Sequence, residues 1–209
     1  MALDHEYSVL GGINRAKVGR WISLLAAAIS SAIIFLLLTI VDVAQRFGLA
    51  ANIPPIVLSL VSASTIFFVL YWIFCNFFWK VAPLARLLRV PNLAGEWACQ
   101  GETLKEDGST CYNWSGTVTI SQNWDKIRVR LVSDTSGSNS VTAALLWDDI
   151  DGYRLLYSYR NDPKVGNPEL SAHLGFADLI FSKDLQCADG EYFNGRGRVT
   201  FGKMKLDRR

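Results

Sequence analysis

Two stretches of this chain, Trp21–Val41 and Val57–Phe78, contain no aspartate, glutamate, lysine or arginine. At 1.5 Å rise per residue each makes a helix of about 31 to 33 Å, the thickness of a bilayer's hydrocarbon core. In lipid a chain must satisfy its own backbone hydrogen bonds, so a single apolar run of this length crosses as a helix. The chain has 209 residues, and those beyond Phe78 suffice for one modest domain. An ordinary soluble enzyme is excluded. A cleaved signal peptide fits poorly, because the first run exceeds a usual apolar signal core and a second run comes at once after it.

Charge orients the two runs. The link from Asp42 to Asn52 carries only Asp42 and Arg46, whereas Arg15, Lys17 and Arg20 precede the first run and Lys80, Arg86 and Arg89 come after the second. The positive-inside tendency then puts both flanks, and both termini, in the cytoplasm of a multi-pass membrane protein. Residues 1–90 form a cytoplasmic N-terminal segment with a two-helix transmembrane region, and residues 91–209 form a cytoplasmic domain. Residues 91–209 hold fourteen basic and sixteen acidic side chains. A slightly acidic domain is a poor footprint for DNA or RNA polymers. The small residues Ala26, Ala27, Ala28, Ser30, Ser31 and Ala32 suit close helix contact, either with another protomer or within one hairpin.

From Pro91 onward the hydrophobic period becomes two. Trp114, Gly116, Val118 and Ile120 alternate with Ser115, Thr117 and Thr119, and Ile127, Val129 and Leu131 alternate with Arg128 and Arg130. Turn-forming clusters separate such runs. The pattern predicts eight strands: 95–100, 112–121, 125–133, 140–147, 153–160, 170–181, 190–197 and 199–206. The fold class is therefore all-β, an eight-stranded antiparallel β-barrel preceded by two transmembrane α-helices, with a sandwich as the alternative. A barrel removes both sheet edges, and at eight strands its interior is filled by side chains or holds one small ligand. Gly175, Gly195, Gly197 and Gly202 fall inside strand-like runs, where glycine marks a bulge, a bend or a close approach.

Catalytic signals are weak. His173 has no partner motif, and no G-x-S-x-G, H-E-x-x-H, P-loop or glycine-rich phosphate cradle occurs. Asp148, Asp149 and Asp151 suit an exposed turn better than a cation site. Cys75, Cys99, Cys111 and Cys187 make no zinc pattern; a Cys99–Cys111 bridge and buried thiols are the two alternatives. The expectation is a protein that is not an enzyme and has no cofactor. A binding kit is more visible. Tyr157 and Tyr159 share a face of one strand, and Tyr192, Asn194 and Arg196 share a face of another. A ring stacks a base, an amide reads its edge, and a guanidinium pairs with phosphate. Tyr157, Arg160, Tyr192, Asn194 and Arg196 are the candidate binding residues, with Arg160 on the face opposite its tyrosines. The competing reading makes the tyrosines core residues and the arginines solvated.

Two N-terminal spans, then Pro91-Asn92-Leu93-Ala94-Gly95-Glu96-Trp97, then Gly190-Glu191-Tyr192-Phe193-Asn194-Gly195-Arg196 and a closing Gly202-Lys203-Met204-Lys205-Leu206 together resemble a known family over essentially the whole chain. It is the two-transmembrane, β-strand-rich effector family of bacterial cyclic-oligonucleotide-based antiphage signalling (CBASS). The resemblance implies a barrel that senses a cyclic dinucleotide, then assembly as a homo-oligomer through the membrane helices and disruption of the inner membrane. It also implies that Asn92–Trp97 is the first barrel strand. A non-catalytic membrane adaptor whose barrel docks a protein partner is the alternative.

Overall fold

The computed structural model describes residues 4–164, 171–195 and 199–209. Its contacts divide into two units, residues 13–79 and the remainder.

In the first unit the apolar runs form two membrane-length helical segments, Arg15–Arg46 and Pro55–Lys80. Helix α1 (Arg15–Arg46) starts at Asn14, whose side chain accepts a hydrogen bond from the Ala16 amide at 2.8 Å. The second run, expected as one helix, is interrupted. It forms α2 (Pro55–Leu60) and α3 (Ala63–Asn76), and a short 3-10 turn comes after them. The break comes at Val61 and Ser62 because side chains there replace the helical bonds. Ser62 turns to an extended conformation and caps α3 by accepting from the Thr65 amide at 3.4 Å. The Val61 carbonyl accepts from the Ser30 hydroxyl of α1 at 2.6 Å. Ala26 and Ser30 are buried, while Ala27, Ala28, Ser31 and Ala32 are exposed. The small-residue stripe is thus split, with Ser30 serving the hairpin and Ala28 and Ser31 left outward.

The second unit is a β-ring. Its strands are β1 (His5–Leu10), β2 (Gly95–Leu104), β3 (Thr110–Gln122), β4 (Lys126–Ser133), β5 (Ser136–Asp148), β6 (Gly152–Pro163), β7 (His173–Phe181), β8 (Cys187–Asn194) and β9 (Thr200–Arg208). From β2 to β9 each strand is antiparallel to the next, and β9 returns to pair with β2. Each of the eight expected strands has a counterpart among the described residues, with β3, β5 and β6 longer at both ends and the expected 190–197 shifted to Cys187–Asn194; residues 170, 196 and 197 of the expected ranges lie outside the described residues. β1 is an addition. It pairs antiparallel with β4 at His5 and Glu6, then runs parallel to β5 from Tyr7 to Leu10. The sheet is therefore not wholly antiparallel, and the segment ahead of the first apolar run contributes to the ring. Its short sequence shows alternation only faintly, with Tyr7 as its one buried residue.

One end of the ring is filled. Helix α4 (Ala82–Leu88) leads into Val90 and Leu93, both buried with Trp97, Trp124 and Phe181. The segment before β2 is not a strand, although the family resemblance implies one over Asn92–Trp97. The side chain of Gln122 holds it from inside, accepting from the Leu93 amide at 2.8 Å and donating to the Pro91 carbonyl at 3.1 Å. The Trp97 indole donates to the Leu93 carbonyl at 3.2 Å. These bonds satisfy buried backbone groups that no ladder reaches.

Candidate functional site

The other half of the interior is not filled. Period two turns Tyr157, Tyr159 and Asn161 of β6 inward, while Arg154, Ser158 and Arg160 face out. From facing strands come Trp114 on β3, Ser138 on β5, His173 on β7, Tyr192 and Asn194 on β8, and Met204 on β9. Together they line a cavity of about 260 Å³. Its aromatic walls rest on glycines across the ladder. Gly101 lies opposite Trp114 and Gly175 opposite Tyr159, and in each place a β-carbon would overlap the ring. Glycine inside these strands therefore makes room for rings laid across the neighbouring strand.

Most polar groups of the wall are paired. The Tyr192 hydroxyl lies 2.6 Å from the Thr103 hydroxyl and accepts from the Trp114 indole at 3.1 Å. Tyr159 donates to the Asn194 side chain at 2.8 Å, and Asn194 donates to Thr200 at 2.7 Å. His173 Nδ1 bonds the Ser171 carbonyl at 3.0 Å and Nε2 faces the Asn161 amide at 3.2 Å. With both nitrogens engaged, His173 serves as a wall residue. Tyr157 and Ser138 differ. They are 4% and 5% exposed, and their hydroxyls make no hydrogen bond among the described residues. Burial pushes the Tyr157 phenol well above the ordinary tyrosine range, with Tyr159 and Cys99 adding to the shift, so it stays protonated and able to donate.

Three of the five candidate residues, Tyr157, Tyr192 and Asn194, meet in this cavity. Arg160 does not join them. Its side chain is 65% exposed and pairs with Asp162 at 3.1 Å, because the pleat turns it away from Tyr159. Arg196 lies outside the described residues, as does Gly197. Among the described lining residues there is no arginine or lysine, so the expected guanidinium–phosphate contact has no counterpart in the described wall. Lys164 reaches the rim, donating to the Ser133 carbonyl at 2.6 Å. Asp148 accepts from the Ile150 and Asp151 amides at 2.8 and 3.0 Å, which makes the acidic cluster a turn. Among the described residues no group of acidic, histidine and cysteine side chains is arranged to hold a metal.

Sequence reasoning misses the roles of Trp114, Ser138 and Asn161. Trp114 reads in sequence as part of an apolar face, and only its register opposite Gly101 shows that it borders empty space. Ser138 falls in a stretch that reads as a loop, because Ser133–Ser140 is rich in turn-forming residues.

Two membrane-length helices ahead of a β-ring with a half-open, aromatic-walled cavity define a membrane-anchored small-molecule receptor. The family profile described as "Cap15, cyclic dinucleotide receptor domain" matches residues 88–208, and the one described as "Cap15, TM helices" matches residues 16–80. The chain is 45% identical over 205 residues to the CD-NTase-associated protein 15 of Yersinia aleksiciae, covering 98% of this chain and 97% of that relative. The chain belongs to the Cap15 family of CBASS effectors, with membrane-spanning helices and a cyclic-dinucleotide receptor domain.

Proposed function

We propose that the cavity between Trp114, Tyr157, Tyr159 and Tyr192 is where the cyclic dinucleotide binds, and that its occupation drives membrane-helix assembly and disruption of the inner membrane. We read the ring as an eight-stranded up-and-down barrel, β2 to β9, with β1 let in between β4 and β5. The observation that carries the proposal is the cavity itself, an aromatic-walled space in the region matched to a receptor domain. Rings supply stacking at about 1–3 kcal/mol per base, and hydrogen bonds from the wall add to it. The barrel side is cytoplasmic by the charge argument, both termini lie there, and the protein is non-catalytic and ignores nucleic-acid polymers.

Binding can switch assembly only if the ligand favours the assembled state over the resting one. The exposed Ala28 and Ser31 of α1 are the helix surface offered to a second copy. A docking adaptor remains a second reading because Phe193 and Phe201 stand exposed on the outer face beside Phe176, which stacks on Phe193 at 5.5 Å. Full-length protein in phosphatidylethanolamine–phosphatidylglycerol vesicles with an entrapped dye separates the two. The effector reading expects dye release on adding one of a panel of cyclic di- and trinucleotides. No release with any of them, while the protein stays inserted, contradicts it.

A further inference from the structure

Buried hydroxyls are nearly always paired, and leaving one unpaired costs about 1–3 kcal/mol. The Tyr157 and Ser138 hydroxyls make no hydrogen bond to a described residue and open onto the cavity, whereas Tyr159 and Tyr192 beside them are bonded to Asn194 and Thr103. Their depths differ. Ser138 pairs in register with Asn161, which pairs with His173, near the end of β6 and the start of β7. Tyr157 lies four residues farther in, opposite Ala177. The cavity, about 260 Å³, falls below the range of roughly 300–1,000 Å³ typical of sites that enclose a whole drug-sized ligand. That volume suits one nucleoside half of a cyclic dinucleotide better than the whole ligand. Around the two hydroxyls the described wall is aromatic, apolar or neutral, a setting in which a desolvated phosphate is costly and a flat heterocycle is not.

We propose that the ligand enters base-first: the Tyr157 hydroxyl donates to an acceptor on the edge of one base, Ser138 bonds the attached ribose, and the phosphodiesters stay at the mouth. This rests on the receptor reading above and adds to it an asymmetry, one half of the ligand enclosed and the other outside. The raised phenol pKa of Tyr157 agrees with a permanent donor.

The test uses full-length protein in lipid nanodiscs, titrated calorimetrically with cyclic di-AMP, cyclic di-GMP and cyclic GMP–AMP. Tyr157→Phe keeps the ring and removes a hydroxyl that has no partner among the described residues, so its melting temperature without ligand should equal or exceed that of the wild type. Its Kd for the best wild-type ligand should rise about five- to tenfold, as should that of Ser138→Ala. Adenosine or guanosine, which carry no phosphate, should compete with that ligand on the wild type and compete more weakly on Tyr157→Phe. Unchanged affinity in both variants overturns the proposal while leaving the receptor reading intact. Competition by ribose 5-phosphate but by neither nucleoside overturns the base-first orientation. A wild type that binds none of the three cyclic dinucleotides sinks the receptor reading and this inference together.

Discussion

At the scale of single residues, Tyr157 and Tyr192 face the same cavity with opposite hydrogen-bonding status, and mutation should separate them. Tyr192→Phe leaves the Trp114 indole and Thr103 hydroxyl without their partner, so the ring should lose about 1–3 kcal/mol of stability in a denaturant melt. Tyr157→Phe should not. Cys99 offers a second check. Burial pushes its thiol from the ordinary 9.0 up to about 12. Between those values the folded protein keeps a proton that the unfolded chain releases, so stability should fall as pH rises from about 9 toward 12. Cys99→Ala should flatten that part of the profile. In the folded protein near pH 8, iodoacetamide should label exposed Cys111 and spare Cys99. The residue scale is only half legible in sequence. Period two places Tyr157, Tyr192 and Asn194 inward, but an unpaired hydroxyl is a property of neighbours, and no local pattern distinguishes Tyr157 from Tyr192.

At the scale of elements, the eight main strands are readable because each alternates and ends in turn formers. β1 is not, since six residues beside a much longer apolar run carry too few periods. Its importance lies in where it sits. β4 and β5 pair directly over only Arg130–Val132 and Gly137–Asn139, and β1 fills the gap beyond. Tyr7 anchors it, buried with its hydroxyl donating to the Asn123 carbonyl at 3.2 Å. Tyr7→Ala should cost roughly 3–5 kcal/mol in the ring's thermal melt, as truncation of a buried aromatic does. A cost below about 1 kcal/mol would show β1 to be dispensable. The interruption of the second span escapes sequence reading because its cause lies on the other helix. Ser30 reaches the Val61 carbonyl across the hairpin, a bond worth about 0.6–2 kcal/mol in a membrane. Ser30→Ala should weaken the hairpin by that amount.

At the scale of the whole molecule, sequence order alone points to a membrane effector with a receptor domain, and the family match agrees. What it does not supply is the division of the interior into a filled end and an open one, which depends on how Pro91–Ala94 tucks beneath Gln122. The assembly account predicts that Ala28→Leu with Ser31→Leu, on the exposed side of α1, lowers ligand-triggered dye release severalfold in a protein that still binds the ligand, with at most the modest loss of affinity that its coupling to assembly requires. Equal release would remove that helix face from the mechanism. The central claim is that the ligand occupies the cavity, and a cavity-filling variant tests it most directly. Ser138→Phe places a ring into the space while leaving the outer surface unchanged. Calorimetric titration of the full-length protein should show the wild type binding a cyclic dinucleotide in the micromolar range or tighter and the folded Ser138→Phe variant not binding below about 100 μM. Equal affinity in the two proteins would place the ligand elsewhere and contradict the account.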